Sequence, residues 1–316
     1  MIFSVLISSL SKRTRNTVKL TSAPSKISII FSNDLFIRIG TYSNRHYWLV
    51  DSVKIYCIEG NRIKLHFLKD AVRLEYESRQ EQLVLANHML DTFKCSVVTL
   101  SFYNGMMTEE AWEFMKMIKQ RRLSICSLGY HIDSESTEFI PRVLDECTEV
   151  TDTIYIKTIF PEDFFYTPPR PFKAKELRLW RTTNWFKLEN SLSCHEVSIE
   201  LGRSSNRTAQ DYNSFLTIWM DSDAPLQKLT YHSIQEPEYR TIMNALGNQG
   251  TKRVIDVYWT EVTRRDKSEF FINACFCNAY SICIYKKQAY LEMLRKDEER
   301  ALAKNLANNL RVRELQ

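Results

Sequence analysis

The chain has 316 residues, 44% of them hydrophobic and 26% charged, which is enough for one large or two modest folded domains. This balance excludes the disordered and fibrous classes of protein. The net charge of +5 is spread along the chain rather than gathered into a basic stripe, so the composition predicts no nucleic-acid partner. None of the 7 glycines has the spacing of a phosphate-binding loop, and we predict no cofactor.

The first element in chain order is a helix over residues 1–20. Its apolar positions precede the basic residues Lys12, Arg13 and Arg15, which is the reverse of a signal peptide. No apolar run in the chain is long enough to span a bilayer, so no membrane association is predicted. The 8 cysteines are too sparse for a disulfide scaffold. We therefore expect free thiols and a cytoplasmic or nuclear protein.

Residues 21–95 are predicted to be a β-rich segment with one helix. The β-prone stretches lie at 27–31, 35–39, 48–57 and 62–67. The pair Gly60-Asn61 between the last two stretches is typical of a hairpin turn. The spacing of Leu83, Leu90 and Phe93 predicts a helix over 80–93.

Residues 96–287 show a repeating arrangement of short strands separated by helices. The strands are predicted near Val98, Ile125, Ile154, Leu177, Val197 and Leu229. Their starts are roughly 20 to 30 residues apart, within the range of stacked repeat units. Because parallel strands need a crossover connection, these units predict a mostly parallel sheet covered by helices. The predicted fold class is α/β, with irregular, leucine-rich-repeat-like stacked strand–helix units, and a doubly wound sheet is the competing architecture.

Two further features concern the helices. Trp112, Phe215 and Trp219 lie on the apolar stripes of their helices, so we expect all three to be largely buried. Residues 288–316 are predicted to form a C-terminal amphipathic helix with a narrow stripe of leucines. Because no heptad is sustained, this stripe is typical of a face that docks against the rest of the chain rather than of a coiled coil.

Candidate catalytic and metal-binding residues are few. Cys194 and His195 are adjacent, so on a strand they point to opposite faces and cannot form a nucleophile–base pair. Cys275, Cys277 and Cys283 have no histidine or fourth cysteine nearby and fall short of a structural zinc site. We therefore predict no catalytic residues and no metal site. An α/β enzyme of an unrecognised class is the alternative.

Two segments carry a family resemblance. The first reads FSVLISSLSKRTRNTVKL over residues 3–20. The motifs of the second are, in order, ELRL (176–179), NWF (184–186), LSC (192–194), DYNSFL (211–216) and PLQKL (225–229). The first segment resembles the last helix of an F-box. The second, residues 175–246, resembles the F-box-associated domain of the type 2, nematode-expanded class, which implies that 96–287 is such a domain and that 1–20 is the remnant of an F-box helix.

In that family the F-box binds the Skp-type adaptor of a cullin ubiquitin ligase, and the associated domain recruits a substrate protein. The resemblance therefore implies a ubiquitin-ligase adaptor that binds a protein partner without catalysis. The Leu-Pro pair and the two earlier helices of an F-box have no counterpart here. Residual adaptor contacts are expected at Phe3, Val5, Leu6 and Leu10. Binding to the adaptor is expected to be weak or absent, so a decoy that lacks adaptor binding is a further alternative.

The candidate partner surface is the face of the predicted sheet that alternates with the buried positions. It consists of Tyr103, Tyr130, Tyr155, Lys157, Arg178, Trp180, Glu200, Thr230 and His232. Aromatic and arginine side chains exposed together are what protein interfaces favour. The alternative is that a helix or the N-terminal strands cover this face, which would make these residues part of the core.

Overall fold

The structure is a computed structural model that describes residues 26–40, 50–58, 61–68, 71–75, 78–133, 138–161, 163–202, 206–276 and 280–314. The chain divides into two compact units, Met1–Phe186 and Lys187–Gln316. Their boundary falls within residues 96–287, which the sequence predicts as one domain. The F-box remnant predicted at 1–20, with its adaptor contacts Phe3, Val5, Leu6 and Leu10, lies outside the described residues.

The described part of the first unit contains nine strands and three helices. The strands are β1 (Ile27–Phe31), β2 (Leu35–Ile39), β3 (Val50–Ile58), β4 (Asn61–Leu68), β5 (Ala71–Leu74), β6 (Val97–Tyr103), β7 (Ser124–His131), β8 (Thr153–Thr158) and β9 (Glu176–Arg181). The helices are α1 (Arg79–Thr92), α2 (Thr108–Gln120) and α3 (Ile140–Cys147). The strands lie in the order β9-β8-β7-β6-β1-β2-β5-β4-β3.

The sheet of the first unit has a parallel half and an antiparallel half. Strand β1 pairs in parallel with β6, and β6, β7, β8 and β9 are parallel neighbours. Strands β1 to β5 pair with one another antiparallel. Short connections such as that between β1 and β2 leave no room for a crossover helix, which is why these strands form hairpins.

The described part of the second unit contains six strands, three α-helices and one 3₁₀ helix. The strands are β10 (Glu196–Glu200), β11 (Lys228–Ile234), β12 (Thr251–Val254), β13 (Trp259–Thr263), β14 (Glu269–Phe276) and β15 (Tyr280–Lys286). The helices are η1 (Leu188–Ser191), α4 (Ala209–Asp221), α5 (Glu236–Gly247) and α6 (Lys287–Glu314). The strand order is β10-β11-β15-β14-β13-β12, in which only β10 and β11 are parallel among the described pairs.

The α/β fold class and the C-terminal helix are confirmed. The parallel pairing predicted for the strand–helix units is confirmed for the described pairs: β6 to β9 are parallel neighbours, and β10 pairs in parallel with β11. Each unit also contains antiparallel strands outside these pairs, so both parts of the sheet are mixed. The connections from β12 to β13 and from β13 to β14 contain no helix, and connections this short join antiparallel neighbours.

Two helices begin at capping boxes that are visible in the sequence. The Ser78 hydroxyl accepts a hydrogen bond from the Glu81 N–H at 3.3 Å, and the Glu81 carboxylate accepts one from the Ser78 N–H at 2.9 Å. Thr208 and Asp211 make the same reciprocal pair at 3.2 and 2.7 Å. Each box satisfies backbone N–H groups that have no partner within the helix, so it sets the residue at which α1 or α4 begins.

The aromatic residues of the helices are only partly where the sequence predicts them. Phe215 and Trp219 of α4 are fully buried, which confirms their prediction. Trp112 of α2 is partly rather than fully buried, so its prediction is met only in part. The buried stripe of α2 passes beside it, and Trp112 lies instead under the cations of Lys116 and Arg142, at 5.1 and 4.8 Å from its ring.

The C-terminal helix contacts the second unit through an aromatic residue rather than through its leucines. The Tyr290 ring stacks on Phe271 at 4.0 Å and meets the Trp259 ring edge-on at 4.9 Å. The predicted docking stripe is wrong, since its described members are exposed. These exposed leucines are Leu291, Leu294, Leu302 and Leu306.

Candidate functional site

The candidate partner surface divides between the two units. In the first unit Tyr103, Lys157 and Arg178 are exposed, and Tyr155 and Trp180 are half-buried. These five side chains lie on what we call the open face, the face of β6 to β9 whose residues alternate with the buried positions. In the second unit Glu200 and His232 are half-buried neighbours on β10 and β11.

Tyr130 does not belong to the open face. It is 1% exposed, and its hydroxyl lies 3.0 Å from the Thr108 hydroxyl. The register between β6 and β7 shifts after the pair Val98–Ile125, so that Thr99 pairs with Ser127. The extra residue in β7 reverses the alternation beyond it, which buries Tyr130 and turns His131 to the open face.

Thr230 is also buried, at 4% exposure, although it lies on the predicted face of β11. It pairs with Ser198 of β10 on one side and with Cys283 of β15 on the other. On the same face of these antiparallel strands, Tyr290 of α6 packs on Phe271. In this part of the second unit a helix therefore covers the predicted partner surface, which is the alternative that the sequence left open.

The carboxyl ends of the parallel strands in the first unit surround a pocket of about 290 Å³, which we call the edge pocket. It is lined by Ser32, Asn33, Tyr103, Asn104, His131, Lys157 and Arg181. In open parallel sheets this edge is where ligands bind, because the connections there diverge and leave a crevice. Five of these residues directly follow or end a strand: Ser32, Tyr103, Asn104, His131 and Arg181. Apart from Tyr103, sequence reasoning missed them, although their position at strand ends is a signal that could have found them.

Three rings stand side by side at the edge pocket. Tyr103 stacks on His131 with ring centroids 4.3 Å apart and an angle of 4°, and Tyr155 meets His131 edge-on at 4.9 Å. A Cβ at Gly129 would lie 3.1 Å from His131 Nε2 and 3.0 Å from Ser101 Oγ. Because Gly129 has no side chain, there is room for the imidazole of His131 beside the rings of Tyr103 and Tyr155.

Asp133 joins the ends of four strands. Its carboxylate accepts hydrogen bonds from the Ile159 N–H at 2.9 Å, from Arg181 Nη1 at 2.9 and 3.1 Å, and from Asn104 Nδ2 at 3.3 Å. Burial raises the pKa of Asp133, but these hydrogen bonds and the Arg181 charge outweigh it and hold the pKa below its ordinary value. The Asp133 carboxylate is therefore negatively charged and holds the strand ends in place. It also neutralises most of the positive charge of Arg181.

Arg181 is held in the left-handed backbone region, with φ of 69°. A residue other than glycine there costs on the order of 1 kcal/mol or more, and such strain persists only where neighbouring contacts compensate it. The ion pair with Asp133 is such a contact. The Arg181 side chain lines the edge pocket.

The electrostatic character of the edge pocket is positive. Burial, followed by the nearby charges of Lys157 and Arg181, lowers the pKa of His131 to about 4, so the imidazole is neutral at pH 7. Lys157 is exposed and forms no ion pair with any residue in the described part of the chain. The arrangement can therefore hold an anion beside aromatic rings.

The cysteine and histidine residues weighed as chemical candidates lie elsewhere. Cys194 is buried while His195 is exposed, and both residues precede β10 rather than lying on a strand as predicted. Cys275 and Cys283 are half-buried and form no disulfide within the described residues, and Cys277 lies outside those residues. Within the described ranges, no group of three or more His, Cys, Asp or Glu side chains could hold a metal ion.

We expect the thiols to differ sharply in reactivity. Burial raises the pKa of Cys194 to about 12 and raises that of Cys147 as well, so both stay protonated at pH 8, whereas Cys57 is exposed. Because the thiolate is the reactive species, iodoacetamide at pH 8 should modify Cys57 and leave Cys147 and Cys194 intact, read by peptide mass spectrometry. After unfolding in urea, all 8 cysteines should react. Rapid modification of Cys194 in the folded protein would contradict its burial.

No family model, curated protein or solved structure matches this chain. Over the described ranges, no helix is both long and apolar enough to cross a membrane. The site residues are therefore interpreted from their own geometry and charge.

Proposed function

We propose that this chain is a non-catalytic protein-recruiting module that holds a protein partner on the open face of its first unit. The observation that carries the proposal is the row of rings at Tyr103, His131 and Tyr155, with the cation of Lys157 beside it. Interface anchors are enriched in tyrosine, tryptophan and arginine, which bury much surface at little cost in conformational entropy.

The neighbouring strand extends the same face. Arg178 and Trp180 of β9 pair with Tyr155 and Lys157 of β8 in the register of the sheet. The Arg178 guanidinium is anchored by an ion pair with Glu176 at 2.6 Å. A partner laid across these strands would therefore meet side chains whose positions are already restricted, which lowers the entropy lost on binding.

The chemistry of the face favours holding a partner over transforming it. The carboxylates closest to the cations of this face neutralise them: Asp133 pairs with Arg181, and Glu176 pairs with Arg178. The thiols of Cys147 and Cys194 are buried and have raised pKa values, so they make poor nucleophiles.

The wider role in this proposal is substrate recruitment for a Skp-cullin-F-box ubiquitin ligase in the cytoplasm or nucleus. Its support is the resemblance of residues 175–246 to the F-box-associated domain. An irregular, leucine-rich-repeat-like scaffold belongs to the same proposal. It is supported by the parallel strands β6 to β9, two of whose connections carry the helices α2 and α3.

Site-specific cross-linking tests the face. We expect a chain carrying p-benzoylphenylalanine in place of Tyr103 to cross-link one protein partner in cells. The matched control carries it in place of Glu113, an exposed residue of α2. Tyr155→Ala should weaken capture by about ten-fold or more, because truncating an aromatic anchor costs about 2 kcal/mol. Equal cross-linking from both positions, or capture unaffected by Tyr155→Ala, would refute this face as the docking surface.

A further inference from the structure

We propose that the edge pocket binds a carboxylate group on an acidic segment of the protein partner. This inference rests on the proposed function, since it names the chemistry of what the open face recruits. The carboxylate would lie between Lys157 and Arg181, within reach of the amides of Asn33 and Asn104 that line the same pocket. Charge-assisted hydrogen bonds of this kind are stronger than those between neutral groups.

The net charge of the edge pocket indicates which kind of ligand it can bind. Asp133 and Arg181 neutralise each other at 2.9 Å, and Ser32, Asn33 and Asn104 are uncharged. Lys157 remains as a single positive charge without an ion pair among the described residues. One singly charged carboxylate therefore balances the pocket. A volume of about 290 Å³ suits a short side chain rather than a nucleotide.

The imidazole of His131 makes the same pocket responsive to pH. The charged or titratable groups that face it are Tyr103 from β6, Tyr155 and Lys157 from β8, Arg181 from β9 and Asp133 from the segment after β7. Burial and the two cations keep its pKa near 4 in the free protein. A bound carboxylate opposes those cations and raises the pKa of His131, so the complex takes up part of a proton once the pH falls close to that raised pKa.

The sign of the pH dependence follows from this uptake. Near the raised pKa of His131 the complex binds more protons than the free protein, so affinity should rise modestly as the pH falls from about 6 toward 5. Below about 4.3, the ordinary pKa of a glutamate side chain, the ligand itself becomes neutral and affinity should fall again. Binding is therefore expected to be strongest in mildly acidic solution.

A titration with fluorescein-labelled hexaglutamate tests the pocket directly. We expect the full chain to bind this peptide at low ionic strength and not to bind hexaglutamine. Lys157→Gln should weaken binding by about ten-fold, the effect of losing one charge-assisted hydrogen bond. Lys94→Gln is the matched control, because Lys94 is an exposed cation that precedes β6 at the opposite end of the strands. Equal losses from both variants would show a diffuse charge effect and overturn the proposal.

Histidine NMR provides the second measurement. The His131 resonance is identified by its loss in His131→Gln, and its pKa is followed without and with saturating hexaglutamate. We expect the pKa to rise by about one unit or more, as a neighbouring opposite charge requires. An unchanged pKa with the peptide bound would overturn the assignment of the carboxylate to this pocket.

Two further arms separate the possible outcomes. In the first arm, inorganic phosphate and acetate compete with hexaglutamate at equal ionic strength. If phosphate displaces the peptide far better than acetate does, the pocket is a phosphoryl site rather than a carboxylate site, and the proposal is overturned. If Lys157→Gln still captures the cross-linked partner undiminished, the carboxylate pocket is refuted while the recruiting face stands. If hexaglutamate binds as expected but position 103 captures no partner, the recruiting function fails and the pocket remains.

Discussion

Replacing Trp219 with alanine should lower the free energy of unfolding by about 3–5 kcal/mol, the usual range for deleting a large buried aromatic side chain. Trp219 is fully buried in the second unit. Its ring stacks on Phe215 at 6.0 Å and meets Phe270 of β14 edge-on at 5.8 Å. Its indole N–H donates a hydrogen bond to the Leu226 carbonyl at 2.9 Å. Alanine would leave both a cavity and a buried carbonyl without a partner.

Urea denaturation followed by circular dichroism measures the Trp219→Ala effect. Trp112→Ala is the matched control, since Trp112 lies on a helix but is half-buried under two cations. Its loss should cost about 1 kcal/mol, mostly from the cation–π contacts. Equal losses from the two variants would contradict the packing of α4.

Replacing Trp185 with alanine should cost a similar amount, about 3–5 kcal/mol, and should also loosen the segment before it. Trp185 is 1% exposed. Its ring lies 5.6 Å from Phe160, 6.2 Å from Phe164 and 6.0 Å from Tyr166. These three residues belong to the proline-rich connection between β8 and β9, which has no helix or strand in its described part.

Because that connection has no regular backbone hydrogen bonding, its order depends on the Trp185 ring. Hydrogen exchange read by mass spectrometry should therefore show lower protection over residues 159–172 in Trp185→Ala. Phe165→Ala is the control, because Phe165 lies in the same segment and is 63% exposed. Protection of the segment that is unchanged in Trp185→Ala would show that its order has another source.

Local patterns in the sequence predict most helices within a few residues. The helix predicted over 80–93 spans Arg79–Thr92 in the structure, and the capping residue Thr208 stands immediately before Ala209–Asp221. Both depend on contacts within about one turn, which is why spacing and capping residues suffice to predict them. The alternating strands near Val98, Ile154 and Leu177 are located for the same reason.

Local sequence patterns are not enough to predict which residues form the partner surface. Five of its nine residues lie on the open face of the first unit, but Tyr130 and Thr230 are buried. An extra residue in one strand is defined only by the strand beside it, so alternation along the sequence carries no sign of the register shift before Tyr130. His131 was missed for the same reason that Tyr130 was wrongly included.

The amino-acid sequence by itself determined the α/β class and the starts of helices such as α1 and α4, because each follows from neighbouring residues. Only the tertiary structure decided which strands pair, that β1 lies beside β6 rather than only beside β2, and that His131, Lys157 and Arg181 meet at one edge. The chain brings these three residues together across about 50 positions. Contacts at that separation depend on packing of the whole sheet, and many sequences with the same local pattern could pair differently.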